Sequence, residues 1–414
     1  MKKINLEIKA LSPLAIGRQK PGGSVSEAES YIPGTVIRGA VAECILKRAN
    51  RSITPSDNFH SLFLGDNPAI FQNAYPASLN IDDDVVIGNN IRILPATVLS
   101  SKTKPGFTPE KNGVFDTLID RFCAENFGQL YDPNCPTDGD RVDAFTGFYS
   151  EYNEEYYSPS ATTRLLTRVG INRRRATSEE RVLYSIEVLN ESKGKGKKEK
   201  PVVYSGAIIV ADELANSLQN FINNHQEDLR LGGSISRGLG RVKITAKSPV
   251  EAKAVKPLVE DRLKEFHDKL ARRWNEWKEI YNQPLEDLLQ NRTYFTIDLQ
   301  SDAILKENWR RTTVISEDML QEFTGVSDSS LKLHAAYSSY DYLSGWNSAW
   351  GLMKDVELIT NKGGVYLFST NQAKLWMEKL GDLEVRGVGD RTCEGFGQIR
   401  VCDEFHLIIR EEAV

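Results

Sequence analysis

The sequence predicts an α+β protein of two similar halves joined by a long helix, and three observations carry that expectation. Ile4-Asn5-Leu6-Glu7-Ile8-Lys9-Ala10-Leu11 alternates apolar and polar residues, the mark of a half-buried strand, and the β-prone run Thr293–Leu299 opens the second half. A glycine-rich loop ending in Gly-apolar-Gly stands before the last strand of each half, within Leu231–Ile244 and again within Val385–Val401. Between the halves, Val259, Leu263, Phe266, Leu270, Trp274, Trp277 and Tyr281 recur every three or four residues, forming one apolar stripe on a helix.

Each element follows in order. Ser12-Pro13 ends the first strand, and a loop rich in Gly and Ser runs from Gly17 to Ser30. Pro33-Gly34 marks a turn, after which Val36, Ile37, Ala40, Val41, Cys44 and Ile45 keep helical spacing. Asp84–Ile87 and Ile91–Leu94, divided by Gly88-Asn89-Asn90, read as a hairpin. Residues 101–160, rich in Pro, Asn, Asp, Tyr and Ser, read as a long irregular insertion. Thr163–Val188 alternates β-prone runs with basic clusters, and Glu191–Lys200 (ESKGKGKKEK) reads as a hairpin tip. Val202–Val210 is a strand, Asp212–Gln226 a helix, and Arg230–Ile244 a glycine-rich loop running into a strand; Pro284 interrupts the long helix. The expected domains are 1–250, with an insertion at about 101–160 and a basic hairpin at about 164–200, then a helical linker 251–290 and a second domain 291–414.

A chain of 414 residues with 40% hydrophobic and 26% charged residues has the composition of a folded protein able to build two cores. Its net charge of −5 supplies no general positive field for nucleic acid, so any such contact must come from local basic patches. Met1-Lys2-Lys3-Ile4-Asn5-Leu6 lacks the apolar core of a signal peptide, and no run approaches the roughly 18 apolar residues of a membrane span. A cytoplasmic protein without membrane contact is expected. The five cysteines (Cys44, Cys123, Cys135, Cys393, Cys402) are odd in number, dispersed and without a C-x-x-C pair, which argues against disulfides and a four-cysteine zinc site. Cys123 and Cys135 are the pair close enough to be the remnant of a metal site, but no further Cys or His lies nearby. Asp82-Asp83-Asp84 reads better as a turn than as a cation site. No metal and no cofactor is expected.

Glycine-rich loops let the backbone take positive φ and let another chain approach, while exposed N–H groups and Arg grip phosphates. One such loop reads equally as a tight turn without a ligand; two copies make coincidence less attractive. Neither carries a Walker lysine or a dinucleotide fingerprint. The candidate phosphate contacts are Gly233, Ser234, Ser236, Arg237, Gly238 and Arg241 in the first loop, with Arg386 and Arg391 around the second. Arg164, Arg168, Arg173, Arg174, Arg175 and Arg181 place six guanidinium groups in eighteen residues, suited to phosphate or to protecting an edge strand. Lys193, Lys195, Lys197, Lys198 and Lys200, interleaved with glycine and glutamate, read as a solvated tip or as one ordered on a partner. Arg18 and Lys20 lie in the loop after the first strand, and Arg38 stands near a helix N-terminus, facing an RNA backbone or paired with Glu43. Lys102 and Lys104 beside Phe107 combine charge with an aromatic face that suits unstacked bases or packs locally. The five histidines (His60, His225, His267, His334, His406) are scattered and each reads as a surface or packing residue, so no catalytic residue is assigned.

The segments Leu11-Ser12-Pro13-Leu14-Ala15-Ile16-Gly17, Tyr31-Ile32-Pro33-Gly34-Thr35-Val36-Ile37-Arg38-Gly39-Ala40, Phe71-Gln72-Asn73-Ala74-Tyr75-Pro76 and Gly232–Gly240 together resemble the RAMP superfamily (repeat-associated mysterious proteins) of CRISPR-associated ribonucleoprotein complexes. Gly345-Trp346-Asn347 and Gly363–Phe368 resemble the long two-domain, group-5-like subunit of type III-D effector complexes. The resemblance implies two ferredoxin-like (RRM-like) domains, each an antiparallel sheet with helices on one face. It implies a non-catalytic subunit that binds the guide RNA (crRNA), caps its 5′ handle beside the large signalling subunit, and meets backbone RAMP subunits, with target RNA contacted indirectly. Three alternatives stay open. One is a metal-independent endoribonuclease that processes repeat RNA. Another is a target-RNA-cleaving backbone subunit using loop aspartates such as Asp116 and Asp143. The third is a scaffold without RNA contact.

Overall fold

The computed structural model describes every residue except 19–26, 50–53, 55–56, 81–84, 88–89, 173–176, 195–199, 255–256, 282–287 and 348–350, and for 78–80, 85–87, 170–172, 177–183 and 346–347 it describes the backbone alone. The first half is built on β1 (Lys2–Ala10), α1 (Gly34–Ala49), β2 (Tyr75–Asn80), β3 (Val203–Val210), α2 (Asp212–Asn224) and β4 (Val242–Ala246). These strands lie in the order β4-β1-β3-β2, all antiparallel, which is the βαββαβ ferredoxin-like arrangement. Alternation in β1 sends Ile4, Leu6, Ile8 and Ala10 into one core with Ile37 and Val41 of α1 and Leu214, Leu218 and Ile222 of α2.

After the helix α3 (Val259–Tyr281), the second half repeats the plan with β5 (Thr293–Leu299), α4 (Glu317–Thr324), β6 (Lys332–Tyr337), β7 (Val365–Thr370), α5 (Ala373–Arg386) and β8 (Ile399–Val401). Its sheet order, β6-β7-β5-β8, is the same arrangement read from the other edge. Ser316 caps α4 by accepting the Met319 N–H at 3.2 Å, and Gly325, at φ 67°, stops it. Neighbouring residues of β5 face different layers. Phe295 meets Trp376 of α5, while Tyr294 meets His267 of α3 and Phe122. The stripe of α3, through Leu263, Phe266, Leu270 and Trp274, is therefore part of the second core.

Residues 101–160 differ from the irregular stretch the sequence predicts. Val98–Ser101 pairs with both Val114–Asp116 and Val142–Ala144, and Phe148–Tyr152 pairs with Glu155–Tyr157. The helix Leu118–Asn126 places Leu118, Ile119, Phe122 and Cys123 in the core of the second half. The turn-forming residues separate short elements, of which Val114–Asp116 and the helix Leu118–Asn126 are buried by partners distant in sequence. The hairpin expected at Asp84–Leu94 also differs: Val85–Ile87 pairs with β2, whereas Arg92–Ile93 pairs with Phe148-Tyr149. The basic hairpin does form, Thr163–Asn172 against Thr177–Leu189, and Ser192-Lys193 pairs with Lys200-Pro201.

Each sheet has helices on one face and a cover on the other. Helix Leu118–Asn126 and α3 cover the second sheet. Over the first, α3, α5 and β8 stand across a cleft from Lys3, Asn5, Ser205, Ala207 and Ile209. No helix among the described residues is long and apolar enough to cross a membrane.

Candidate nucleic-acid interface

The two glycine-rich loops share one backbone conformation. Each begins with a left-handed residue, Ser234 at φ 57° or Arg391 at φ 59°. A single 3₁₀ turn follows (Ile235–Arg237 or Thr392–Glu394), and a left-handed glycine ends it, Gly238 at φ 85° or Gly395 at φ 94°. The anchoring bonds are duplicated too. Gly233 N–H donates to the Ala15 carbonyl at 2.8 Å and Asp390 N–H to that of Ile304 at 2.9 Å. Gly240 N–H donates to Pro13 at 2.9 Å and Gly397 N–H to Asp302 at 2.8 Å. A Cβ on Gly232 would stand 2.5 Å from the Ala15 oxygen, and one on Gly389 2.4 Å from the Ile304 oxygen, so close approach requires glycine at both places.

Their surroundings are opposite. In the first loop Gly233, Ile235, Ser236, Arg237 and Gly238 are exposed, and a Cβ on Gly238 would meet nothing within 4 Å. The second loop is docked on the first half. A Cβ on its Gly395 would stand 2.7 Å from Asn73 Oδ1 and 2.9 Å from the Phe71 carbonyl oxygen. The same Asn73 Oδ1 accepts the Gly34 N–H at 2.8 Å, so the Phe71–Asn73 and Pro33-Gly34 motifs seat the second loop. Arg391 is held there by Glu394 at 2.6 Å and Glu357 at 3.1 Å, with its guanidinium 5.0 Å from the centre of the Phe396 ring. Arg386 is exposed at the last turn of α5.

Beside the first loop lies the basic hairpin. Arg237 Nη1 donates to the Tyr184 hydroxyl at 2.5 Å and its guanidinium sits 5.5 Å from that ring's centre, while Arg168 stands opposite Tyr184 in the strand pair. Arg237, Tyr184 and Arg168 thus form one continuous surface. Sequence reasoning misses Tyr184; its signal is an aromatic residue three positions past the Arg-rich run. Arg164, farther along, is paired with Glu191 at 2.9 Å, and Arg241 is exposed, its N–H bonded to Ser12 Oγ at 2.9 Å.

Other candidates are apart from this surface or occupied. Arg18 pairs with Asp341 of the second half at 3.0 Å. Arg38 donates to the Phe63 carbonyl at 2.7 Å and lies over its ring; Glu43 instead pairs with Lys47. Lys102 pairs with Asp143 at 3.4 Å, and Lys104 is exposed. Phe107 is packed against Phe145, Tyr156 and Phe405, leaving no face for a base. Lys20, Arg173, Arg174 and Arg175, along with Lys195, Lys197, Lys198 and Asp82-Asp83-Asp84, lie outside the described residues, as does the Arg181 side chain. A groove of about 730 Å³ runs between the halves beside the first loop, lined by Arg18, Lys354 and Lys362 but also by Glu29, Asp302 and Asp341. Its charge is mixed.

Asp116, considered above as a loop aspartate, ends the strand Val114–Asp116 and is buried. It accepts from Thr97 Oγ1 at 2.6 Å and the Leu118 N–H at 2.7 Å, and lies 3.2 Å from His406 Nδ1. His406 is itself fully buried, with Nε2 2.8 Å from Asp298. Burial disfavours its charged form, but Asp298 and Asp116 together hold its pKa well above the ordinary imidazole value. His334 is pushed the other way, to about 4, by burial and then by Lys332 and Arg292. Among the described residues no group of three His, Cys, Asp or Glu is placed to hold a metal ion.

A family model described as the RAMP superfamily matches residues 7–243. Among solved structures, a chain of "Cryo-EM structure of the Type III-B Cmr-beta bound to cognate target RNA" aligns with 12% identity and a TM-score of 0.38, covering 88% of this chain and 86% of that one. A chain of the apo state of Type III-B Cmr-beta aligns with 14% identity and a TM-score of 0.30, covering 59% and 96%. A Cas6 substrate-mimic complex aligns with 11% identity and a TM-score of 0.27, covering 50% and 82%. No curated protein matches the chain.

Proposed function

The chain belongs to the RAMP superfamily, and on that premise we propose that it is a non-catalytic guide-RNA-binding subunit of a type III CRISPR interference complex. One observation carries the reading most directly. The same loop is made twice, and only the first copy leaves its turn exposed, with Gly233, Arg237 and Gly238 at the surface next to Tyr184 and Arg168 of the basic hairpin. An open backbone edge with an adjacent guanidinium and aromatic face suits a ribose-phosphate strand, the Arg reading phosphate and the ring accepting a base. The covers over both sheets favour contact through loop and hairpin rather than by stacking across a sheet face. In this role the protein holds crRNA at its 5′ handle, beside the large signalling subunit and the backbone RAMP subunits, and meets target RNA only through the guide.

Binding of this kind is directed at phosphates and falls with salt. Arg237→Ala and Arg168→Ala are each expected to weaken guide-RNA binding and to lower the slope of log affinity against log salt by about one. The measurement is a filter-binding or anisotropy titration at several salt concentrations. Unchanged affinity and slope in both variants would remove this surface from the RNA interface.

A further inference from the structure

We propose that the cleft between the first sheet and the second half binds a phosphate group. Lys3 and Asn5 of β1, with Ser205 and Ala207 of β3, form its floor; Arg262 of α3, Glu384 of α5 and Arg400 of β8 stand opposite, and Arg92 closes one side. The volume is about 170 Å³. A water molecule takes about 30 Å³ of liquid, so a tetrahedral oxyanion with a few waters fits.

The cations of this cleft outrun its carboxylates. Glu384 is shared between Arg262, at 2.6 Å, and Arg400, at 3.7 Å. Glu404 is shared between Arg400, at 2.6 Å, and Arg92, at 2.7 Å. Asp403 lies 4.0 Å from Arg400 and is bonded to the Tyr149 hydroxyl. Among the described residues Lys3 forms no ion pair, and burial pushes its pKa below the ordinary lysine value, with Arg400 and Arg92 acting in the same direction against the pull of Glu384. Arg262 has a side chain only 1% exposed and leaves both Nε and Nη1 without a hydrogen-bond partner. A buried guanidinium with two idle donors is costly unless something accepts from them. A phosphate does so: its oxygens accept several N–H bonds at once and its charge offsets the excess. The same chemistry is offered by a phosphate free in solution and by the monoester end of a nucleotide or RNA. The site includes neither the first glycine-rich loop nor the hairpin, so it stands or falls separately from the proposed guide-RNA surface.

The test is a titration of the full chain with inorganic phosphate, followed by calorimetry and by thermal unfolding, with chloride matching ionic strength. A saturating heat and a concentration-dependent rise in unfolding temperature are expected. Lys3→Met is expected to weaken phosphate binding at least tenfold, and Arg262→Met more; should the latter fail to fold, Lys3→Met decides. Parallel arms compare adenosine monophosphate with adenosine, and a 5′-phosphorylated with a 5′-hydroxyl oligoribonucleotide. Tighter binding of the phosphorylated partner identifies a nucleotide end, and equal binding by inorganic phosphate identifies the free anion. No response beyond the chloride control, or the same affinity in Lys3→Met, would overturn the proposal.

Discussion

Gly238 and Gly395 stand at the same position of the same loop, yet their replacement should cost different amounts. Alanine at Gly238 meets open space and bears only the strain of a left-handed backbone, roughly 1–2 kcal/mol. Alanine at Gly395 bears that strain and is also driven into Asn73 Oδ1 and the Phe71 carbonyl, adding about 1–3 kcal/mol. Urea unfolding of the two variants measures the difference, and equal losses would contradict the docking of the second loop. His406 gives a prediction in pH. Its folded-state pKa is raised, while the unfolded imidazole titrates near 6.5. The folded state therefore holds the proton more tightly, and its stabilisation is complete below about pH 6.5 and is lost as pH rises through the folded value. Unfolding free energies taken from pH 6 to 9 should fall, and His406→Asn should flatten that fall while destabilising the protein by about 3–5 kcal/mol, because Asp116 and Asp298 lose the cation between them. At this scale the glycines were legible because they take left-handed φ at the least cost and leave room for a close backbone approach. The engagement of Arg391 by Glu357 and Glu394 was not, since Glu357 is contributed by a different strand pair.

Helices show the same division between local and distant information. The stripe of α3 is long enough to announce itself, and the four side chains Leu263, Phe266, Leu270 and Trp274 all lie in the core. Helix Leu118–Asn126 is short and set among turn residues, and its apolar pattern at Leu118, Ile119, Phe122 and Cys123 acquires meaning only beside α3 and β5. Asp120 ties these elements together. Fully buried, it accepts from Arg273 Nε at 2.5 Å, Trp277 Nε1 at 3.3 Å and Tyr131 at 3.2 Å. Asp120→Ala removes the buried partner of Arg273, which keeps Glu276 at 2.7 Å and Glu411 at 3.1 Å, and is expected to cost about 1–3 kcal/mol. Calorimetric unfolding of this variant beside Arg273→Ala checks it, with the double variant losing much less than the sum of the two. Losses that simply add would show the pair to be uncoupled.

For the molecule as a whole, duplication of the βαββαβ plan was readable from the repeated loop, because the two copies need glycine at matching places for the same steric reason. The mutual docking was not readable. It depends on contacts such as Arg18 with Asp341 and Asn73 with the second loop, each between residues far apart in sequence. Docking divides labour between the copies: the second becomes an internal joint, and the first is left facing solvent beside the hairpin. Residue-resolved protein–RNA crosslinking in the assembled complex tests this division most directly. Crosslinks at Gly233–Gly238 and on the Thr163–Leu189 hairpin, with Thr392–Glu394 silent, are the predicted result. Crosslinks at Thr392–Glu394 with none at the first loop would contradict it.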